Sequence, residues 1–323
     1  MNITTKQEIL ELLDLPYAEF QQTVIPAAKQ IYIERRGNEL VSNAMLGFSN
    51  ICKNRCLYCG MRAGSSVERY RIAADDVIAA ARTAKEMGFR RMFVISGEDP
   101  KYGYENVLRI IREIKALGLH LSLACGEFVP EQYEEFAALG ADEYVLKFEM
   151  SDRDTFNRLN PSTDFDRRMR SIEAVKKSGM KLASGNIVDY PGHTLSQLAD
   201  DILLMKELEI SWAPVIPYMP AKGTPLAAEG GRGDIFLNLR EIAILRLMMP
   251  EINITAQQPG RDLTKGLADD EGNLLALEAG ANMLFADFLP DALVGNFSVI
   301  DNRVTLGLDH IRDMATRSGM TLV

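Results

Sequence analysis

Arg91-Met-Phe-Val-Ile-Ser96 opens the stretch that decides the fold. This short apolar run reads as a strand. A turn rich in Gly and Pro follows, then a helix from Tyr104 to Gly118 stopped by glycine, then a second strand from Leu119 to Ala124. The same strand–helix order recurs on both sides. Upstream, Ala44-Met-Leu-Gly-Phe-Ser49 is a strand and Ile72 to Gly88 a helix ending in a glycine cap signal. Downstream, helices at 130–140, 164–179, 194–208, 234–249, 269–280 and 306–319 alternate with strands at 144–149, 182–188, 211–218, 253–257 and 283–288. Alternating units of this kind imply a parallel sheet. Eight of them imply a closed (βα)8 TIM barrel, with chemistry at the C-terminal ends of the strands. An open doubly wound sheet is the competing topology. Residues 4–35 read as helices broken near Pro16 and Pro26. The expected organisation is therefore a short N-terminal helical extension, 1–40, and a barrel, 41–323, forming a single domain overall. The Pro- and Gly-rich stretch 219–233 reads as a long loop on the active face.

Composition fits that size. The chain has 323 residues, 47% hydrophobic and 25% charged, which is ordinary for a globular protein with a large core. The net charge is −9 and no run of five basic residues occurs, which argues against nucleic acid. No apolar stretch of about 18 residues and no signal-like N-terminus is present, so the expectation is a cytoplasmic protein without a membrane partner. Four cysteines, three of them clustered, do not make a disulfide framework and suit a reducing compartment.

The cluster is Ile51-Cys-Lys-Asn-Arg-Cys-Leu-Tyr-Cys-Gly60, a C-x3-C-x2-C spacing directly after the first strand. It supplies Cys52, Cys56 and Cys59, three thiolates where a structural zinc site takes four protein ligands. No His lies within sixty residues of the loop to complete such a site. A cubane iron–sulfur cluster with three cysteine ligands keeps one iron open to bind something else. Lys53 and Arg55 flank the sulfurs and are expected to lower their pKa values. Tyr58 stands where its ring would cover the cluster or stack on an aromatic cofactor.

The run from Phe48 to Arg62 resembles the signature loop of the radical S-adenosylmethionine (SAM) superfamily, and within it the HydE-type maturases, methylornithine synthase and biotin synthase. The similarity runs from about residue 45 to residue 290. The resemblance implies one 4Fe–4S cluster on three cysteines and SAM chelated at the open iron. Reductive cleavage of SAM would then yield a 5′-deoxyadenosyl radical that abstracts hydrogen from a substrate. It assigns SAM contacts to Ser96, Gly97 and Glu98 after strand two, Glu98 accepting from an ammonium. It assigns Glu149 to the ribose hydroxyls, Arg168 (with Arg167 competing) to the SAM carboxylate, and Gly185 and Ile187 to the adenine. Thr194 would cap the following helix. Asp189 stands where a small residue is expected and would reach into the barrel. His193 reads as a partly exposed loop or capping residue. Tyr218, Gln257, Gln258, Arg261 and Asp287 sit near the ends of strands six to eight and are substrate-site candidates. The Met-rich patch 245–249 reads as core.

Cys125 is the only cysteine outside the loop and reads as a small buried hydrophobe. One cysteine cannot hold a second cluster, so sulfur insertion is disfavoured. The extra C-terminal cluster of some HydE-type maturases is absent from the sequence. The first expectation is HydE-like chemistry on a small, amino-acid-derived or iron-bound substrate, with a reductant such as ferredoxin or flavodoxin. The second is an amino-acid mutase or lyase of methylornithine synthase type, in which Asp189 and Asp287 hold an ammonium. The third, from another class, is a non-catalytic iron–sulfur scaffold.

Overall fold

The computed structural model describes residues 3–323. Its strands are β1 Glu39–Ser49, β2 Arg91–Ser96, β3 His120–Ala124, β4 Glu143–Val145, β5 Lys181–Ala183, β6 Trp212–Ala213, β7 Asn253–Ile254 and β8 Met283–Asp287. Each pairs in parallel with its sequence neighbour, and β8 returns to β1. The last gap is closed by a parallel bridge between Thr255 and Met283, with Ala256 N donating to Met283 O at 2.8 Å and Asn282 N to Ile254 O at 3.0 Å. The closed parallel barrel follows.

Two helices, α1 Lys6–Asp14 and α2 Tyr17–Arg36, precede the barrel. The expected break at Pro26 does not occur, because α2 runs through it. Pro26 sits on the exposed face, where the carbonyl deprived of its partner meets water and packing on the opposite face holds the helix together. The outer helices are α3 Ala74–Glu86, α4 Tyr104–Ala116, α5 Pro130–Ala138, α6 Arg153–Leu159, α7 Phe165–Lys177, α8 Leu195–Glu207, α9 Ile235–Met248, α10 Asp270–Glu278 and α11 Leu308–Ser318. The short α6 was not expected from the sequence. Its Asp152 cap accepts from Thr155 N at 2.9 Å.

Strands β4 to β7 are shorter than their apolar runs. Past Ser184 and Pro214 the chain leaves the main sheet and forms a second parallel ladder, Ile187–Val188 with Ile216–Pro217. Pro214 has no N–H for the first ladder. At Gly185 an added Cβ would meet Val215 Cγ1 at 3.1 Å, so backbone and side chain are already close. This flare widens the rim. Lower down, Phe93, Trp212 and Phe285 fill the barrel interior, with ring centroids 5.2 Å apart for Phe93 and Trp212 and 5.4 Å for Trp212 and Phe285. Trp212 Nε1 donates to Thr255 Oγ1 at 2.8 Å, so the indole is both packed and satisfied.

The opposite end of the barrel holds a titratable marker. His120 opens β3, half-buried beside Arg91, whose Nη2 lies 3.3 Å from His120 Nε2. Burial, and then the Arg91 charge, push His120 down from 6.5 to about 4. The unfolded chain takes up this proton near the ordinary histidine value, while the folded chain does not until about 4. Stability therefore falls as pH drops through that window. His120→Gln should flatten the dependence of the urea midpoint on pH between 6.5 and 4.5; an unchanged slope counts against the assignment.

Candidate functional site

Parallel strands place every following loop on one rim. The cysteine loop leaves β1 there and is tied to its neighbours through its backbone. Lys53 N donates to Glu98 O at 3.0 Å, Leu57 N to Leu159 O at 2.8 Å and Gly60 N to Val299 O at 3.0 Å. Leu226 N donates to Leu57 O at 3.0 Å, which fastens the 219–233 loop to it. Arg69 closes the loop's base, giving Nη1 to Asn50 O and Met61 O at 2.6 and 2.8 Å and Nη2 to Arg62 O at 2.7 Å. The backbone is satisfied in this way, and the three thiols sit together within the loop it fixes.

Their electrostatics correct the sequence expectation. Cys56 and Cys59 are pushed up to about 12, first by burial and then by the neighbouring thiols. The flanking cations do not reverse this. Lys53 Nζ is 2.5 Å from Glu98 Oε1 and is spent there, and Arg55 is exposed. The Arg168 charge beside Cys56 does not offset the desolvation, so Cys56 and Cys59 keep their protons. Metal coordination replaces those protons with cations, so this donor set fits an iron–sulfur cluster. Among the described residues, no three His, Cys, Asp or Glu side chains gather as the ligands of one ion would. Ligands of a cubane each bond a different iron and stand further apart.

Around this loop the structure assembles most of the residues expected to meet SAM. Gly97 presses on the loop: an added Cβ would lie 2.3 Å from Ile51 O and 2.9 Å from Cys52 Cβ, so only glycine fits. Glu98 faces the loop too. It takes its ammonium from Lys53 and accepts from Asn54 Nδ2 at 2.8 Å. Ser96 turns its hydroxyl to Gly97 O at 2.7 Å. Tyr58 donates to Asn160 Oδ1 at 2.7 Å, at the end of α6. Glu149 ends the β4 segment and pairs with Lys147 at 3.1 Å. Arg168 is not a solvated helix arginine. Its Nε donates to Glu127 Oε1 at 2.7 Å, its Nη1 bonds Lys147 O, and its guanidinium lies 5.4 Å from the Phe156 ring centre. Arg167 shares the same acid, donating to Glu127 Oε2 at 2.9 Å, but from an exposed position. The charges of Arg168 and Glu149 both reach Cys56.

Beneath the loop lies a cavity of about 340 Å³. Its walls include Met45, Phe93, Ile95, Trp212 and Phe285, and Tyr58, Glu149 and Ile187 reach it from above. Of the expected substrate residues, Tyr218, Gln257 and Asp287 line it. Asp189, Gln258 and Arg261 do not. Asp189 Oδ2 accepts from Asp234 N at 2.7 Å and so supports the start of α9, where orphan N–H groups attract a carboxylate. Gln258 is buried and saturated, donating to Val215 O at 2.7 Å and Thr255 O at 3.0 Å and accepting from Asn238 Nδ2 at 3.0 Å. Arg261 is exposed and pairs with Glu271 at 2.5 Å. Gly185 serves the backbone, accepting from Glu149 N at 3.0 Å. Cys125 is buried, as expected. His193 is a loop residue, as expected, but its side chain is only 1% exposed and stacks on Tyr190 with centroids 4.4 Å apart. Thr194 caps α8.

Four residues escaped the sequence reading: Lys147, Glu127, Trp212 and Arg303. Lys147 and Arg303 supply the cations of the cavity, each paired with an acid, Glu149 and Asp287 respectively. Lys147 alternates with Glu149 at the end of a strand and carried a period-two signal. Arg303 lies in an irregular strap after β8, where no periodicity points to a face. That strap covers the barrel mouth, and an added Cβ at Gly60 would lie 2.3 Å from Ser298 O.

Residues 46–205 match the family model of the radical SAM superfamily. The [FeFe] hydrogenase maturase subunit HydE of Thermotoga maritima is 32% identical over 287 residues, 88% of this chain and 81% of that protein. This chain belongs to the radical SAM superfamily. A second relative in the superfamily, 3-methylornithine synthase of Methanosarcina barkeri, is 27% identical over 293 residues, 89% of this chain and 81% of the relative. The crystal structure of methylornithine synthase superposes with a TM-score of 0.85 at 24% identity, covering 99% of this chain and 94% of that one, and so shares the fold. As a radical SAM enzyme the protein uses a 4Fe–4S cluster and SAM. No helix among the described residues is long and apolar enough to cross a membrane.

Proposed function

We propose that Cys52, Cys56 and Cys59 hold the cluster and that the enzyme performs HydE-like radical chemistry on a small, amino-acid-derived or iron-bound substrate in the barrel. One observation carries this: the half-buried three-thiol loop sends Tyr58 into an apolar-walled cavity whose charged groups come as two ion pairs, Lys147–Glu149 and Asp287–Arg303. When bound, the cluster and SAM supply a 5′-deoxyadenosyl radical. The chain's own residues do the rest. Gly97 and Glu98 form the wall on the methionyl side, Arg168 answers the SAM carboxylate, Glu149 takes the ribose hydroxyls, and Gly185 and Ile187 flank the adenine. Tyr58 closes the roof. The walls of Phe93, Trp212 and Phe285 keep water from the reacting centre. Tyr218, Gln257 and the Asp287–Arg303 pair face the substrate. A low-potential reductant such as ferredoxin or flavodoxin and a cytoplasmic setting complete the proposal.

Rearrangement of an amino acid, as the name of methylornithine synthase implies for that protein, is the second reading. Asp287 favours it as a cavity carboxylate able to meet an ammonium, but Asp189 no longer contributes. Anaerobic reconstitution, then dithionite and SAM, should yield 5′-deoxyadenosine. An intact cluster without that product sinks the proposal. Deuterium passed to 5′-deoxyadenosine from thiolated or iron-bound amino acids supports the first reading, and transfer from unmodified amino acids the second. Arg303→Met should lower product formed per deoxyadenosine about tenfold while SAM cleavage continues, because the lost interaction belongs to the substrate end. Unchanged coupling would remove Arg303 from the substrate site.

A further inference from the structure

Glu149 has a backbone that calls for an explanation. Its φ is +63°, and Met150 N donates to Phe148 O at 2.8 Å across it, which makes a γ-turn with a non-glycine residue at the centre. That conformation is strained and persists only when its surroundings over-determine it. One side of the turn is held by the neighbouring segment. Glu149 N donates to Gly185 O at 3.0 Å, Ile187 N to Glu149 O at 2.9 Å and Phe148 N to Ser184 Oγ at 3.2 Å. The other side is held by one carboxylate. Asp201, on α8, accepts from Ser151 N at 2.7 Å and Ser151 Oγ at 2.5 Å through Oδ1, and from Asn186 Nδ2 at 3.0 Å through Oδ2.

Asp201 is 1% exposed and is not a wall of the cavity. A carboxylate buried this deeply is costly unless it is hydrogen-bonded. Its bonds run to both strands that flank Glu149, since Ser151 follows the turn and Asn186 is the bridge partner of Glu149. Glu241, fully buried on α9, and His193 complete the surround; burial and then the Asp201 charge hold the Glu241 carboxyl well above its ordinary value. His193 Nδ1 accepts from Asp189 N at 2.9 Å, so the neutral ring carries its proton on Nε2, which lies 3.5 Å from Asp201 Oδ2.

We propose that Asp201 is a positioning residue for the SAM site, clamping the strained turn that presents Glu149 to the cavity. The proposal rests on the assignment of Glu149 to the SAM ribose. The clamp sets where that carboxylate points without touching the ligand.

Equilibrium dialysis of reconstituted protein with labelled SAM tests it, with iron content and the SAM-induced change in the electron paramagnetic resonance of the reduced cluster as companion readouts. Asp201→Ala should bind SAM about tenfold more weakly with iron content unchanged. Asp201→Asn should recover part of the loss, since its Oδ1 still accepts from Ser151. In a Glu149→Ala background, Asp201→Ala should add no further loss, because the group it positions is gone. SAM affinity within twofold of the parent in Asp201→Ala, or an equal loss in both backgrounds, overturns the proposal. Unchanged affinity in Glu149→Ala alone overturns the ribose assignment and the clamp with it. Should Asp201→Ala not fold, Ser151→Ala, which removes one of the two bonds to the turn, decides by the same criteria.

Discussion

Cys56→Ala is expected to abolish the cluster and SAM cleavage together. Cys56 is the middle thiol of the loop, pushed up to about 12 by burial and then by Cys52, a proton that metal coordination would replace. On the proposed assignment the cubane has three thiol ligands, and two would not retain it. Iron per chain should drop to background, the cluster's absorbance and paramagnetic signal should vanish, and deoxyadenosine formation should fall by about a thousandfold or more, to the uncatalysed level. The fold itself should survive, because the loop is anchored through its backbone and Arg69. Unchanged iron content would refute the ligand assignment.

Arg168→Ala should cost SAM affinity about a hundredfold, with iron content preserved. The guanidinium spends Nε on Glu127 and Nη1 on Lys147 O, which fixes its plane. Its remaining donors are those proposed for the SAM carboxylate. Truncation removes that partner and strips Glu127, whose side chain is 4% exposed, of its buried cation. Losing one member of a buried, hydrogen-bonded charge pair costs about 2–5 kcal/mol. Arg168→Lys should fail to rescue fully, since an ammonium cannot copy the planar fork. Full affinity in the alanine variant would assign the SAM carboxylate elsewhere, with exposed Arg167 the next residue to test.

The barrel was legible because each βα unit carries its own periodicity and most end in a glycine stop, the helices ending near Leu208 and Met249 excepted. Strand β2 came out at its expected limits, and the cysteine loop landed on the rim because it directly follows β1. Local signals erred where tertiary packing overrode them. Pro26 was read as a break but rides on the exposed face of a helix packed on its other side. The runs 182–188 and 211–218 were read as single strands but split at Ser184 and Pro214 to make the flared rim. Lys53 and Arg55 were read as activating the thiols. Burial outweighs them, and Lys53 turns to Glu98.

Three cysteines at a fixed spacing, placed after the first of eight alternating units, were enough to point to an open-iron cluster over a barrel cavity. Ligand spacing and periodicity are local properties of a chain, and local properties can be read along it. Which carboxylate faces the cavity and which caps a helix is not local. Asp189 and Asp287 looked alike in the sequence, and only the packing of α9 against one and Arg303 against the other separated them. The pairing of Arg168 with Glu127 joins residues 41 positions apart, and the clamp of Asp201 on the Glu149 turn joins residues 50 apart. Such contacts arise because closing the barrel brings distant loops onto one rim, where burial favours charges that find a partner.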